Sequence, residues 1–176
     1  YPGFERNAQV ALALGRLPGR PAIHMVMPEG MTSGTPVIQH GLHGIAGPAA
    51  RGQGAAMVIE CGQHFKRASS DMATQVSLDF LAHFGLIDAP QAAFDRPIAA
   101  EPQPQQRLEL LHTHVIQTTD FALVRPLVGF EVFSKGELIA TDGALEVRSP
   151  CDGCTVLMPA RVAIVGREGM YLTRPL

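Results

Sequence analysis

Apolar residues near the start of the chain follow helical spacing first and then form short unbroken runs. Residues 5–14 (ERNAQVALAL) are rich in helix formers and stop at Gly15, a residue suited to the position just after a helix. Residues 21–27 (PAIHMVM) form a short apolar run, which predicts a strand. The Gly- and Pro-rich residues 28–56 predict loop, with a short strand at 36–39.

A second apolar run ends on an acid. Residues 56–60 (AMVIE) are typical of a strand buried on both faces, as in a parallel sheet. A helix is predicted over residues 71–84, because its apolar residues recur at helical spacing, with Ser69 or Ser70 as its cap and Gly85 after its end. The order helix, strand, loop, strand, helix indicates an α/β domain.

The pattern changes at about residue 88. Residues 91–106 are rich in Pro and Gln without a period, which predicts a linker. Short strand candidates separated by Gly-containing turns follow, as in an all-β barrel or sandwich. These candidates are residues 108–124, 129–133, 137–140, 145–148, 155–158 and 161–165. We therefore predict an α/β domain over residues 1–90 and a small all-β barrel over residues 107–176.

Composition narrows the class of protein. Hydrophobic residues make up 46% of the 176 residues, as in a folded globular protein. The net charge of −2 without a basic block argues against a nucleic-acid surface. No apolar stretch approaches the ~20 residues that cross a bilayer, and no signal peptide is visible. Three cysteines, an odd number, suit a reducing compartment, so we expect a cytoplasmic protein.

Glu60 is the first candidate for chemistry. A carboxylate at the end of a buried strand is costly unless it is paired, ligated or working, and ligands bind at the carboxyl ends of strands in open α/β sheets. One interpretation is a structural acid paired with Lys66, Arg67 or Arg51, and the other is a general base. His64 and Lys66 follow in the loop, either as ligands for an anionic substrate or as solvated residues.

Histidines offer a weaker candidate for chemistry. His40 and His43 form one close pair, and His112 and His114 form another. Neither pair has the spacing of a zinc-binding helix or a zinc finger. His112 and His114 would lie on one face of a strand, so a histidine-based metal binder stays as a third hypothesis.

The CDGC sequence of Cys151 and Cys154 has the spacing of half a zinc ribbon or of a redox pair. No second pair of this kind exists, and the central Gly favours a β-turn. Residues 142–160 around it resemble the hammerhead of lipoyl- or biotinyl-carrier domains, in which a P-x-D-G turn opens a strand. Residues 156–161 offer no lysine for a cofactor, so only the shape is expected to be shared.

Three stretches in order carry a resemblance to a known family. They are LGRLPGRPAIHMVMPEGMTSGTPVIQHGLHG, MVIECGQHF and ATQVSLDFLAHFGLI. With the E-x-G-x-x core at residues 60–64 and a β domain ending in REGMYL, the chain resembles the aspartoacylase/succinylglutamate desuccinylase family of zinc-dependent deacylases. The resemblance implies part of a zinc-carboxypeptidase-like sheet with helices, followed by the hammerhead-like β domain. It also implies a hydrolase that removes an acyl group from an N-acyl amino acid or a related amide or ester.

The resemblance assigns roles to several residues. Glu60 matches the family's general base, which takes a proton from zinc-activated water. Tyr171 matches a tyrosine that the family's β domain places against the substrate. Arg51 falls near an arginine that binds the substrate carboxylate, and His64 stays a substrate-binding candidate.

The zinc ligands of the family do not map onto this sequence. Such enzymes use an H-x-x-E motif and a later D-x-H segment, and neither occurs in this chain. The chain begins at Tyr1 with a helix predicted almost at once. We therefore expect the sequence to be the later part of a longer protein, the Zn²⁺ ligands to precede Tyr1, and the chain alone to be inactive.

A hypothesis from another class is a non-catalytic binding or assembly module built on the β domain. The sequence does not determine the oligomeric state, although exposed edges of an incomplete sheet would favour association into a homo-oligomer. Substitution of Glu60 separates the two hypotheses, because only a deacylase needs its carboxylate.

Overall fold

The computed structural model describes residues 5–28, 55–88 and 103–176. Within them lie α1 (Glu5–Gly15), β1 (Ile23–Val26), α2 (Arg67–His83), β2 (Gln106–Val115), β3 (Ala122–Leu123), β4 (Val132–Phe133), β5 (Leu138–Asp142), β6 (Leu145–Arg148), β7 (Cys154–Leu157) and β8 (Glu168–Pro175). The chain separates into two compact units: Tyr1–His24 with Gly34–Gln105, and Met25–Ser33 with Gln106–Leu176. Neither helix combines the length and hydropathy that a membrane span requires among the described residues.

Helix α1 forms where the sequence predicts it and packs through one face. Val10 and Leu14, four residues apart, are each only 4% exposed. The sequence suggests that Gly15 lies just after the helix as its cap. In the structure Gly15 belongs to the last turn of α1. A Cβ atom at Gly15 would lie 2.8 Å from the side chains of His24 and Gln105. A larger residue at this position would therefore need these two side chains to shift.

Helix α2 begins four residues earlier than predicted. Lys66 is its N-cap residue and makes no side-chain capping hydrogen bond, so the prediction of Ser69 or Ser70 as cap is wrong. The two serines lie inside the first turn, where their N–H groups donate to the Lys66 carbonyl at 3.0 and 3.3 Å. The predicted end is confirmed, since Gly85 follows α2 with φ of 67°.

Residues 56–60 do not form the predicted strand buried on both faces. No regular structure occurs there, and Val58 is 60% exposed while Ala56 is buried. The Ala56 N–H donates to Oδ1 of Asn7 in α1 at 3.0 Å, which holds the start of this segment. An apolar run becomes a strand only when a neighbour satisfies its backbone groups, and no strand of the described residues does so.

A largely buried ion pair connects the loop after α1 with α2. The Arg20 Nε donates to Asp79 Oδ2 at 2.5 Å, and both side chains are about 10% exposed, at 11% and 10%. Gln75, one turn before Asp79, donates through Nε2 to the other carboxylate oxygen at 2.9 Å. Both oxygens of Asp79 are thus satisfied inside the first unit.

The second unit contains two sheets, in which β2, β8, β7 and β4 pair antiparallel, as do β3, β5 and β6. One has the strand order β1-β2-β8-β7-β4, of which β1 contributes Met25 and Val26 to this unit, and the other has the order β3-β5-β6. Buried side chains from both sheets form one core. Its members are Ile116, Phe121, Leu127, Phe133, Ile139, Ala140, Val147, Cys154, Val156, Met170 and Leu172. The described residues form no closed barrel, so that part of the predicted fold class is wrong.

Most predicted strands of this unit form near their expected positions, and β6 coincides with the prediction. Residues 161–165 form no strand, although one was predicted there. The eight-residue strand β8 was not predicted, because its buried residues come in adjacent pairs, Gly169–Met170 and Leu172–Thr173, and not in alternation. Such a pattern hides a strand from a period-two search.

Asp142, at the end of β5, is a buried carboxylate with a full set of donors. Its Oδ2 accepts from the Gln117 N–H at 2.7 Å and lies 2.9 Å from the His114 Nε2. Its Oδ1 accepts from the Thr118 N–H at 2.8 Å and from the Thr118 hydroxyl at 2.7 Å. Burial raises the pKa of Asp142, but these hydrogen bonds outweigh burial and lower the pKa to about 2.

The pKa of Asp142 makes the stability of the second unit sensitive to acid. A folded-state pKa of about 2, below the ordinary 3.8, contributes stability that is present above pH 3.8 and is lost as the pH falls towards 2. Asp142→Asn should remove this part of the acid dependence. Urea unfolding between pH 5 and 2 measures it, with exposed Asp120→Asn as the control. Equal acid dependence in Asp142→Asn and the unmodified chain would contradict the assignment.

Removing Asp79 should strongly destabilise the first unit. Asp79→Ala leaves the largely buried Arg20 guanidinium without its carboxylate partner, and loss of one member of a buried pair costs about 3 kcal/mol. Glu146→Ala is the matched control, because the Glu146–Arg148 pair is exposed (55% and 47%) and such pairs are worth about 0–1 kcal/mol. Denaturant titration compares the two losses. Similar losses would show that the Arg20–Asp79 pair contributes no more than a surface pair.

Candidate active site

The segment that leads into α2 borders an open depression of about 620 Å³. Residues 59–67 line it together with Ser69 and Ser70 of the first helical turn. Glu60 and His64, two of the residues singled out from the sequence, therefore border the same space. The segment comes from one stretch of chain, so its own backbone conformation determines where these side chains lie.

Glycine and an unusual phenylalanine determine that backbone conformation. Gly62 has φ of 107° and Phe65 has φ of 66°, a region that residues other than glycine rarely adopt. A Cβ atom at Gly62 would lie 3.1 Å from the Ser69 hydroxyl, so the loop passes close to the first turn of α2. The Lys66 N–H donates to the Gln63 carbonyl at 3.4 Å and closes the turn.

The Glu60 side chain is exposed at this depression. Among the described residues neither Lys66 nor Arg67 forms an ion pair with it, and the third structural partner considered, Arg51, lies outside the described residues. Because the segment is not a buried strand, Glu60 does not carry the desolvation cost that the sequence suggested. A solvated carboxylate that borders a depression is free to accept a proton from a bound reactant.

Cys61 reports the electrostatic effect of its neighbour. Burial raises the pKa of the Cys61 thiol, and the negative charge of the Glu60 carboxylate raises it further. The thiol lies 4.0 Å from the Ile59 carbonyl and is only partly exposed. Sequence reasoning did not select Cys61, and its sole sequence signal is its place after Glu60.

The imidazole of His64 and the cationic side chains of Lys66 and Arg67 follow Glu60 along the same loop. His64, Lys66 and Arg67 all line the depression and are exposed, and the His64 ring lies 6.2 Å from the Phe65 ring. They precede or open α2, whose N-terminus carries a partial positive charge. The depression therefore combines one carboxylate with a positively charged rim.

Two further predicted residues lie elsewhere in the chain. Tyr171 belongs to β8 in the second unit, opposite Thr113 of β2 and Leu157 of β7, and its hydroxyl donates to Glu168 Oε2 at 2.5 Å. Arg51 lies outside the described residues. The structure thus brings Glu60 and His64 to one depression and places Tyr171 in the other unit. Their roles stay predictions.

The His112–His114 pair has a structural environment. The two rings are 6.3 Å apart, but His114 is buried, bonded to Asp142 and stacked on Phe121 at 5.6 Å. Partial burial lowers the pKa of the His112 imidazole, and the neighbouring His114 lowers it further. In the described ranges no three His, Cys, Asp or Glu side chains come together as a metal site. His40 and His43 lie outside those ranges.

The structure is similar to that of succinylglutamate desuccinylase from Vibrio cholerae, with a TM-score of 0.59 and 16% identity over 96% of this chain and 45% of that chain. A succinylglutamate desuccinylase structure from Vibrio parahaemolyticus matches with a TM-score of 0.41 and 20% identity, over 57% of this chain and 30% of that chain. No protein-family model and no curated protein matches the sequence.

These comparisons concern the fold. The chain spans less than half the length of either enzyme, at 45% and 30%. The Vibrio cholerae likeness shows that this mixed α/β chain has a desuccinylase fold, so the predicted resemblance is confirmed at the level of the fold.

Neutralising Glu60 should make Cys61 more reactive. The carboxylate raises the pKa of the neighbouring thiol, so Glu60→Gln should lower that pKa and increase the thiolate fraction at pH 8. Iodoacetamide should then modify Cys61 faster, because the thiolate is the form of cysteine that reacts. Peptide mass spectrometry follows the rate, with Glu5→Gln as the control. An unchanged rate would mean that the two side chains do not interact.

Proposed function

We propose that this chain is part of a hydrolase that removes an acyl group from an N-acyl amino acid or a related amide or ester, with Glu60 as its general base. The proposal rests on one observation above all. Within a chain that has a desuccinylase fold, Glu60 is an exposed carboxylate at an open depression, with cationic side chains beside it.

The proposed chemistry uses the proton-accepting capacity of Glu60. Its carboxylate takes a proton from water as the water oxygen adds to the acyl carbonyl, and it then returns the proton to the departing amine. An exposed carboxylate at the depression suits this exchange of protons because water and substrate can reach both of its oxygens. His64 is proposed to bind an anionic group of the substrate at the rim.

Tyr171 and Arg51 complete the proposed set of substrate-binding residues. The resemblance supports both; Tyr171 belongs to the second unit, and Arg51 lies outside the described residues. An N-acyl amino acid carries at least one carboxylate, so a guanidinium and a phenol are chemically suited to bind it. The acyl group itself is the variable to be tested with a panel of substrates that includes N-succinylglutamate.

The fold likeness also suggests that the proposed hydrolase uses Zn²⁺. No three potential ligands cluster in residues 5–28, 55–88 or 103–176, and His114 is engaged by Asp142. These residues therefore do not fit a complete zinc site. We propose that any zinc ligands lie outside the described residues.

Glu60→Gln tests the proposal against the non-catalytic binding module. In the protein that carries this sequence, the variant should lose about a hundredfold or more in kcat for N-acyl amino acid hydrolysis, the contribution typical of a general base. Circular dichroism and thermal unfolding should stay unchanged, because the side chain is exposed. Glu5→Gln, another exposed glutamate, is the control. Unchanged kcat in Glu60→Gln would exclude this role, and no hydrolysis of any N-acyl substrate by the unmodified protein would favour the binding module.

A further inference from the structure

Cys151 and Cys154 occupy the ends of a tight turn in the second unit. The CDGC stretch forms the turn that the sequence predicts, with Asp152 and Gly153 at its centre, and it opens strand β7. Gly153 has φ of 70°, the conformation for which glycine is favoured at the third position of a β-turn. The first and fourth Cα atoms of such a turn lie within about 7 Å of each other. A disulfide needs a separation of about 4.4–6.8 Å.

The two thiols also share their surroundings. The Cys151 sulfur lies 3.9 Å from the Thr173 carbonyl, and Cys151 packs against the core that contains Cys154. The Cys154 thiol in turn interacts with the Cys151 side chain and with the Thr173 backbone. Both cysteines are free. The fold thus places two reduced sulfurs side by side in one small region next to β8.

Access to solvent distinguishes the two sulfurs. Cys154 has no exposed surface, whereas Cys151 is partly exposed. Burial raises the pKa of the Cys154 thiol, so little thiolate forms there while the turn stays closed. A reagent from solution therefore meets Cys151 first.

We propose that Cys151 and Cys154 form a redox-reactive thiol pair, oxidised by low-molecular-weight disulfides, with Cys151 as the attacking and Cys154 as the resolving cysteine. The Cys151 thiolate attacks one sulfur of the reagent, breaks its S–S bond and releases one thiol. Cys154 then loses its proton, attacks the Cys151 sulfur of the mixed disulfide and releases the second thiol. Two protein thiols are oxidised and one reagent disulfide is reduced to two thiols, which take up the two protons.

The turn geometry explains why the second step should follow the first. The resolving cysteine is three residues away at the other end of the same turn, so ring closure needs little backbone movement. The surrounding hydrogen bonds keep the turn in place, since Asp152 Oδ1 accepts from the Lys135 N–H at 2.9 Å. This proposal does not depend on the proposed hydrolase activity.

Oxidised glutathione is the probe, used on the folded chain with Cys61→Ser so that only the pair can react. Intact mass should fall by two hydrogen masses, and both thiols should become inert to iodoacetamide together. Dithiothreitol should restore both. In Cys154→Ser the glutathione adduct should accumulate at Cys151, and in Cys151→Ser the buried Cys154 should stay unmodified over the same time.

Two results would overturn the proposal. One is a stable glutathione adduct at Cys151 while Cys154 of the same molecule is still a free thiol. The other is no loss of thiols in the folded chain under conditions that oxidise the urea-unfolded chain. Circular dichroism checks that each variant is folded, and the test on the intact pair holds even if Cys154→Ser is unstable.

Discussion

The buried carboxylate of Asp142 is the constraint around which the second unit is organised. A carboxylate removed from water must recover its lost hydration through hydrogen bonds, and here four donors from the end of β2 and the residues after it supply them. Asp142 belongs to the three-stranded sheet, whereas β2 belongs to the five-stranded sheet. The hydrogen bonds that offset the cost of burying Asp142 therefore also connect the two sheets. The common core of Phe133, Ile139, Val156 and their neighbours lies between these sheets.

Glu60 differs from Asp142 because its carboxylate is exposed to solvent. The carboxylates of Asp79 and Asp142 bond to structural partners, and both are largely removed from solvent. Glu60 is exposed, and the effect recorded for its charge among the described residues is to disfavour the thiolate form of Cys61. Among the described residues, no ion pair or hydrogen bond of this carboxylate stabilises the fold. Such a residue is suited to proton transfer, provided that substrate binding removes water from the depression.

Sequence reasoning succeeded where local signals decide the structure and failed where distant partners do. The course of α1, the glycine end of α2, the position of β6 and the CDGC turn follow from propensity and turn chemistry. The conformation of residues 56–60 depends on whether a neighbouring strand is present, and the burial of β8 depends on two sheets meeting. At the candidate site, Glu60 was found from its position and from the family resemblance. The positive φ of Phe65 has no sequence signature, and the partners of Asp142 lie 24 to 28 residues away in the chain.

Chemical rescue tests the central claim about Glu60 most directly. In the protein that carries this sequence, Glu60→Ala leaves space where a small external carboxylate can take the place of the missing base. The account predicts that N-acyl amino acid hydrolysis is nearly abolished in Glu60→Ala and returns with added formate, in proportion to the fraction of formate that is ionised. Hydrolysis by Glu60→Ala at the unmodified rate, with no response to formate, would contradict it.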